Sequence, residues 1–234
     1  MISVVIPVYN EVESLRPLTA EVLGAMQGVG REFEILYVDD GSRDGSRELM
    51  RQLAAEHPEI HFVGFKKNCG QTSAMAAGFK HAKGDIVVTL DADMQNDPRD
   101  IPKLLEKLGE YDVVCGWRQK RHDTLVRRVS SRVANYVRNK LSDEQIVDVG
   151  CSLKAYKKEC VDNIKLFEGM HRFLPTLVKL EGYSVVEVPV NHRQRTLGTS
   201  KYGIRNRIMK AFLDLLAVRW MKKRYIRYEI EEER

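Results

Sequence analysis

Asp91 and Asp93 stand one residue apart at the end of the apolar run DIVVTL, with Gln95 two positions further on. Two carboxylates at a strand terminus can converge on one divalent cation, and the Gln95 amide oxygen keeps the donor set all oxygen. Such a set suits Mg²⁺ or Mn²⁺ and not zinc. An ion held there can bind phosphate oxygens and neutralise charge on a departing diphosphate. Acids crowded at a strand end also repel one another, so a purely structural loop explains them poorly.

A second acidic pair, Asp39 and Asp40, closes the run EILYVD ahead of Gly41, Ser42 and Asp44. A carboxylate there can accept hydrogen bonds from a nucleobase edge or a ribose hydroxyl. Turn chemistry explains the cluster equally well, with Gly41 making the bend and Ser42 or Asp44 capping the next helix. Late in the chain, residues 191–203 carry Arg193, Arg195 and Lys201, with Gly198 and Gly203 as hinges. Arg binds phosphate oxygens in a fork and Lys as a point charge, so this loop is suited to closing over a diphosphate and excluding water. Arg127, Ser131 and Arg138 fall on one face of an expected helix over 123–141, opposite Leu125, Val129, Val133 and Val137. By spacing alone that polar face is a solvated one.

Positioning these groups requires a regular scaffold. Strand-like apolar runs occur at 2–7, 33–38, 60–65, 85–90 and 112–115, with helical patterns between them at about 12–27, 44–56, 71–82 and 99–109. This alternation predicts an α/β fold, a mostly parallel sheet with helices on both faces. The polar clusters mostly follow the strands, where open α/β sheets bind ligands. Small residues at Ala74, Ala77 and Gly78 predict a close helix–sheet approach. Beyond 116 the pattern gives the 123–141 helix, a strand at 152–156, a helix near 170–180, a strand at 183–190 and a last amphipathic helix over 204–223. No repeat or linker interrupts the chain, which reads as one domain over 1–234.

The 234 residues carry a formal net charge of +5, unevenly divided. Residues 1–110 hold 12 Lys/Arg against 18 Asp/Glu, and residues 111–234 hold 26 against 15. An acidic half suits a cation and a basic half an anion. Cys69, Cys115, Cys151 and Cys160 lie far apart without zinc spacing, and read as reduced thiols. Met1 leads straight into ISVVIP with no signal-peptide pattern, and no run of about 18 apolar residues marks a membrane span. The expectation is therefore a cytoplasmic protein.

VVIPVYNE at 4–11, YVDDGSRDGS at 37–46, NCGQTSAMAAG at 68–78 and TLDADMQNDP at 89–98 together resemble family 2 glycosyltransferases of the GT-A, Rossmann-like fold. Asp91 and Asp93 resemble that family's DxD element. The resemblance implies a nucleoside pocket lined by Pro7, Tyr9, Glu11 and Asp39 or Asp40. It also implies that Asp91, Asp93 and Gln95 hold Mg²⁺ or Mn²⁺ and the diphosphate of a UDP- or GDP-sugar. GWR at 116–118, RRVSS at 127–131, VDVGCSLKAY at 147–156, HRFLP at 171–175 and HRQRTLGTSKYG at 192–203 resemble the polyprenyl-phosphate branch, which includes dolichol-phosphate mannose synthases and undecaprenyl-phosphate glycosyltransferases. On that resemblance Arg118, Arg127 and Ser131 grip an acceptor phosphate, and Arg193, Arg195, Ser200 and Lys201 lie near the donor diphosphate. The halves divide as 1–120 for nucleotide-sugar and metal, 121–203 for the acceptor and the basic loop, and 204–234 for the amphipathic helix and acidic tail.

The same resemblance implies an inverting transfer to a polyprenyl phosphate, performed by a peripheral protein at the inner face of the membrane. Many members of that branch continue into transmembrane segments and this sequence does not, so the last helix or a separate membrane-anchoring partner would hold it there. That helix also reads as one packed on the domain's own core. Asp148 is the candidate acid near the reacting centre, as a base or as a group that orients others. A soluble transferase acting on a saccharide or protein hydroxyl is the alternative. A nucleic-acid binder is disfavoured, since it would have no use for Asp91 and Asp93.

Overall fold

The computed structural model describes residues 1–119, 146–195, 204–226 and 231–232. The helix expected over 123–141, with Arg127, Ser131 and Arg138, lies outside the described residues, as do Gly198, Ser200, Lys201 and Gly203.

Four apolar runs become parallel strands because helices cover both of their faces. These are β1 (Ile2–Val8), β2 (Phe33–Asp39), β3 (Ile60–Gly64) and β4 (Ile86–Thr89). Side chains alternate across the sheet with the strand period of two. Val4, Ile6, Ile35 and Tyr37 pack with Leu15, Leu18 and Val22 of α1 (Val12–Gln27) and with Met50 and Leu53 of α2 (Ser46–Glu56). Val5, Leu36 and Val38 pack on the other face with Ala74, Met75 and Phe79 of α3 (Gln71–His81). Pro98–Asp100 forms a 3-10 turn leading into α4 (Ile101–Lys107), which buries Ile101 and Leu104.

The sheet is completed by β5 (Val113–Arg118), β6 (Lys154–Lys157) and β7 (Val185–Val190), in the order β3-β2-β1-β4-β6-β5-β7. β6 runs antiparallel to both β4 and β5, while β5 and β7 pair in parallel. The chain winds outward from β1 through β2 to β3, then returns to place β4 on β1's other side. The crevice at the carboxyl ends of β1 and β4 is therefore the topological switch point, where open α/β sheets bind ligands.

The one-turn helix α5 (Glu159–Asp162) follows β6, and a 3-10 turn at Met170–Phe173 runs into α6 (Leu174–Leu180). Met170, Phe173, Leu177 and Leu180 form a smaller core with Leu215 and Val218 of α7 (Ile204–Arg224). Among the described residues no helix is long and apolar enough to cross a membrane.

Candidate active site

The loops after β1, β2 and β4 meet at the switch point, and two of them carry strained backbone. Asn10 (φ 53°) and Met94 (φ 59°) are the non-glycine residues with positive φ among those described. A side chain in that region is uncommon and marks a backbone held by its surroundings. Asn10 is held by the β2–α2 loop: its N–H donates to Ser42 Oγ (2.9 Å), and Arg43 N–H donates to its Oδ1 (2.7 Å). The N–H groups of Glu11 and Val12 donate to Ser46 Oγ (3.0 Å) and Asp44 Oδ2 (3.1 Å). Ser42 and Asp44 thus tie two loops together. The residue before α2 is Gly45, and Asp44 reaches past it to accept from Ser46 N–H (3.0 Å). Of the two caps expected for that helix, Asp44 is the one that meets it.

Asp39 and Asp40 are both buried. Asp39 accepts from Ser42 N (2.8 Å) and from Arg47 Nε (2.5 Å). Asp40 accepts from Cys69 N (2.6 Å), Gly70 N (2.9 Å) and Asn68 Nδ2 (2.9 Å). Burial pushes the Asp40 carboxyl up, and the two N–H groups oppose the shift. Both carboxylates therefore shape the pocket wall: Asp40 fixes the 68–70 loop and Asp39 the turn at Gly41. Lys67 crosses so close to Gly41 that a Cβ there would lie 2.5 Å from its carbonyl carbon. Pro7 and Tyr9, the other expected lining residues, sit half-buried at the end of β1.

Asp91 and Asp93 face the same crevice. The Gln71 amide, on the first turn of α3, donates to Asp91 Oδ1 (2.8 Å), and the Asp91 N–H donates to Ser152 Oγ (3.2 Å). Burial pushes the Asp91 carboxyl up, against the Ser152 hydrogen bond and the positive charges of Lys154 and Arg118. Asp93 is lifted to about 6 by burial and then by the Asp91 charge, while the Gln95 N–H (3.2 Å to Oδ1) and Arg195 oppose the rise. Two acids that repel in a desolvated crevice, with an amide two residues on, form a donor set suited to a hard divalent cation. Among the described residues no cluster of three or more His, Cys, Asp or Glu forms a closed metal cage. A Mg²⁺ or Mn²⁺ site does not need one, since water and substrate phosphate supply the remaining ligands.

The segment after β7 crosses the mouth of this crevice. Arg193 N–H donates to Gln95 O (2.9 Å), and Asn96 bridges to His192 in an isolated antiparallel pair. The two arginines then diverge. Arg193 forks onto Glu21 (2.7 and 2.9 Å) and Asp97 (2.8 Å), a strut between α1 and the 3-10 turn. Arg195 reaches the site acids, 2.5 Å from Glu11 and 3.8 Å from Asp93. Of the two arginines expected at the diphosphate, the structure brings Arg195 to the acids and engages Arg193 elsewhere.

On the other side, Asp148 is 4% exposed and held by Arg118 at the end of β5: Nε donates to Oδ2 (2.6 Å) and Nη2 to Oδ1 (2.8 Å). A carboxylate chelated in this way is poorly placed to take a proton, so the orienting role is the one its geometry suits. Sequence reasoning gave no role to Gln71, Ser152, Glu21 or Glu187. Gln71 did carry a local signal, since it comes after the NCG loop and opens α3. Ser152, in the loop before β6, and Glu21 and Glu187, which hold Arg193 and the 147–148 peptides, are brought near by strand and helix order that spacing alone does not encode.

Residues 3–165 match the family model for glycosyl transferase family 2. The chain belongs to that family. Similar solved structures carry the same fold at low identity. One is a mannosyltransferase from Pyrobaculum calidifontis in complex with GDP-mannose and Mn²⁺, at 21% identity and a TM-score of 0.67. The match covers 95% of this chain and 63% of that one, so this chain spans less than two thirds of its length. A second is glucosyl-3-phosphoglycerate synthase from Mycobacterium tuberculosis with Mn²⁺, UDP and phosphoglyceric acid, at 18% identity and a TM-score of 0.71, covering 97% of this chain and 80% of that one. The same synthase with Mg²⁺ and UDP matches at 18% identity and a TM-score of 0.70, over 95% and 79% of the two chains. The α/β sheet expected from the strand–helix alternation, and the GT-A fold that the resemblance implied, are thus the fold of this family 2 chain.

Proposed function

We propose that this family 2 chain moves a sugar from a UDP- or GDP-sugar to a polyprenyl phosphate, working peripherally at the cytoplasmic face of a membrane. A divalent cation, Mg²⁺ or Mn²⁺, would be held by Asp91, Asp93 and Gln95, and when bound it supplies charge neutralisation on the departing nucleoside diphosphate. The solved relatives support the donor and the ion, since they hold GDP-mannose or UDP with Mn²⁺ or Mg²⁺. Arg195, beside Glu11 and Asp93, would meet the diphosphate as a charge-assisted partner. A single in-line displacement inverts the anomeric carbon. A phosphate monoester is mostly dianionic near neutral pH, because its second pKa is about 6. Such a nucleophile needs positioning more than deprotonation, which agrees with an Asp148 committed to orienting Arg118.

The observation that carries the lipid reading is the face of α7 turned away from the domain. Phe212, Leu213, Leu216 and Trp220 are exposed there, and Lys223 and Arg224 border them. An apolar arc rimmed by basic residues is suited to an anionic bilayer surface. A small soluble acceptor is the second reading, favoured by the phosphoglyceric acid bound to the M. tuberculosis synthase. Nucleoside diphosphate release separates the two. The assay scans UDP- and GDP-sugars with Mn²⁺ or Mg²⁺, with short-chain polyprenyl phosphate or phosphoglyceric acid as acceptor. Release that needs the lipid phosphate and collapses in Arg127→Ala supports the first reading. Release that responds only to phosphoglyceric acid or a saccharide overturns it.

A further inference from the structure

Glu187 lies in the middle of β7, in register with Cys115 of β5, and its carboxylate does not face the crevice chemistry directly. Its two oxygens accept from two consecutive peptides of the loop before β6: Val147 N–H to Oε2 (2.8 Å) and Asp148 N–H to Oε1 (3.0 Å). That loop has no regular secondary structure of its own to fix it. The Asp148 side chain continues the line. It takes the Arg118 fork at 2.6 and 2.8 Å and the Arg118 N–H at 3.1 Å. The guanidinium lies against Gly150, where a Cβ would sit 2.9 Å from Nη2, and its charge is felt at Asp91. One carboxylate thus places a pair of peptides, the peptides place a second carboxylate, and that carboxylate places a guanidinium.

We propose that Glu187 is a positioning residue: through Asp148 it sets where the Arg118 guanidinium stands against the Gly150 turn, and so how closely an acceptor phosphate is met. The chemistry favours this over a simple tether. Charge-assisted bonds are short and directional, and a bidentate fork transmits orientation as well as distance. An error of about 1 Å in such a group costs on the order of 100-fold in rate. A tether would need only one contact of any kind, whereas both oxygens of each carboxylate are committed here.

The acceptor half of this inference rests on the lipid-phosphate reading, and the relay itself does not, so two readouts separate them. The first is kinetic, with short-chain polyprenyl phosphate. Glu187→Ala is expected to raise acceptor KM about tenfold with donor KM held within about twofold, and Glu187→Gln, which keeps one acceptor oxygen, to fall between it and the wild type. In an Arg118→Ala background the Glu187→Ala effect should disappear, because the relay has lost its end. Full additivity of the two changes overturns the proposal. The second readout needs no acceptor: the ¹⁵Nε–H resonance of Arg118, which the 2.6 Å bond to Asp148 is expected to protect from exchange. It should lose protection in Glu187→Ala, or in Glu187→Gln if the alanine variant does not fold, and keep it in Val188→Ala, a core change in the same strand. Retained protection in the Glu187 variants overturns the relay. A wild type indifferent to lipid phosphate, with protection lost only in the Glu187 variants, overturns the acceptor reading and leaves the relay standing.

Discussion

Asp93 is raised from the usual carboxylate range to about 6 because its charge is buried beside that of Asp91. A group whose folded pKa exceeds its unfolded one adds stability at low pH and loses it as pH rises through the folded value. The metal-free protein should therefore lose stability between about pH 4 and pH 6, relative to Asp93→Asn, and the two melting curves should converge at pH 4. The same proton competes with a cation. Mn²⁺ affinity, read by titration calorimetry, is expected to fall about tenfold per pH unit below 6 and to level off above it; a flat profile from pH 5 to 8 would remove Asp93 from the ligand set. Arg195 predicts a pair of opposite effects. Its guanidinium stands among the acids that a cation would occupy, 3.8 Å from Asp93. Arg195→Ala should tighten Mn²⁺ binding by the protein alone severalfold, since a competing charge is gone. It should also weaken nucleoside diphosphate binding about tenfold or more, since a charge-assisted partner is lost. Loss of both affinities together would mean that Arg195 only holds the loop.

Helix α3 delivers Gln71 to Asp91, so its seating on the sheet matters to the site. The seat is Gly78, where a Cβ would overlap Val5 Cγ1. Gly78→Ala should cost about 1–3 kcal/mol by overpacking, and trimming Val5 to Ala in the same chain should recover much of it in a denaturant titration. No recovery would place the cause in the helix backbone instead. This close approach was legible in the sequence, as were most elements of the first half. Parallel strands covered on both faces read as unbroken apolar runs, and Ile2–Val8, Phe33–Asp39 and Ile60–Gly64 do so within a residue or two of their ends. Less legible was the insertion of β6 against the direction of its neighbours. Its four residues include Lys154, a buried ammonium that donates to the Cys151 carbonyl, and no hydropathy pattern marks such a residue as central. The acidic pairs were legible as a site, but their division of labour was not. Whether Asp40 faces a ligand or the 68–70 peptides depends on where the chain turns after β3, with Asn68 28 residues away. The roles of Glu187 and Ser152 depend on strand order, which spacing does not encode.

At the scale of the molecule, the acids of the first half lie in the crevice and described basic residues of the second half reach it, Arg195 from the segment after β7 among them. Helix α7 is joined to the site by a short chain of contacts. Gly169 packs against Asp214, its N–H donates to Thr72 Oγ1 (3.0 Å), Thr72 also bonds His171 (2.7 Å), and the neighbouring Gln71 holds Asp91. Asp214 is thereby turned inward, and from Leu215 to Arg224 the helix carries no acid. Leu215 and Val218 face the core, while Phe212, Leu213, Leu216 and Trp220 fall within about 100° of one another on the outer side. Trp220 is 65% exposed and Leu213 56%. The reading of the last helix as packed on the domain's own core is borne out by Leu215 and Val218, and the outer apolar face is the one an interfacial role would use. If the outer face meets lipid, Leu216→Ala with Trp220→Ala removes about 3 kcal/mol or more of apolar burial from the membrane-bound form and leaves the folded domain nearly unchanged, because neither side chain is in its core. Co-sedimentation with vesicles containing anionic lipid should then fall by a factor of about 100, with the melting temperature within a degree or two of wild type. The residual binding, carried by Arg219, Lys222, Lys223 and Arg224, should vanish as salt is raised past the screening range of about 0.15 M. Unchanged sedimentation of the double variant would mean that the outer face does not touch the bilayer, and the case for a lipid-borne acceptor would lose the observation that carries it.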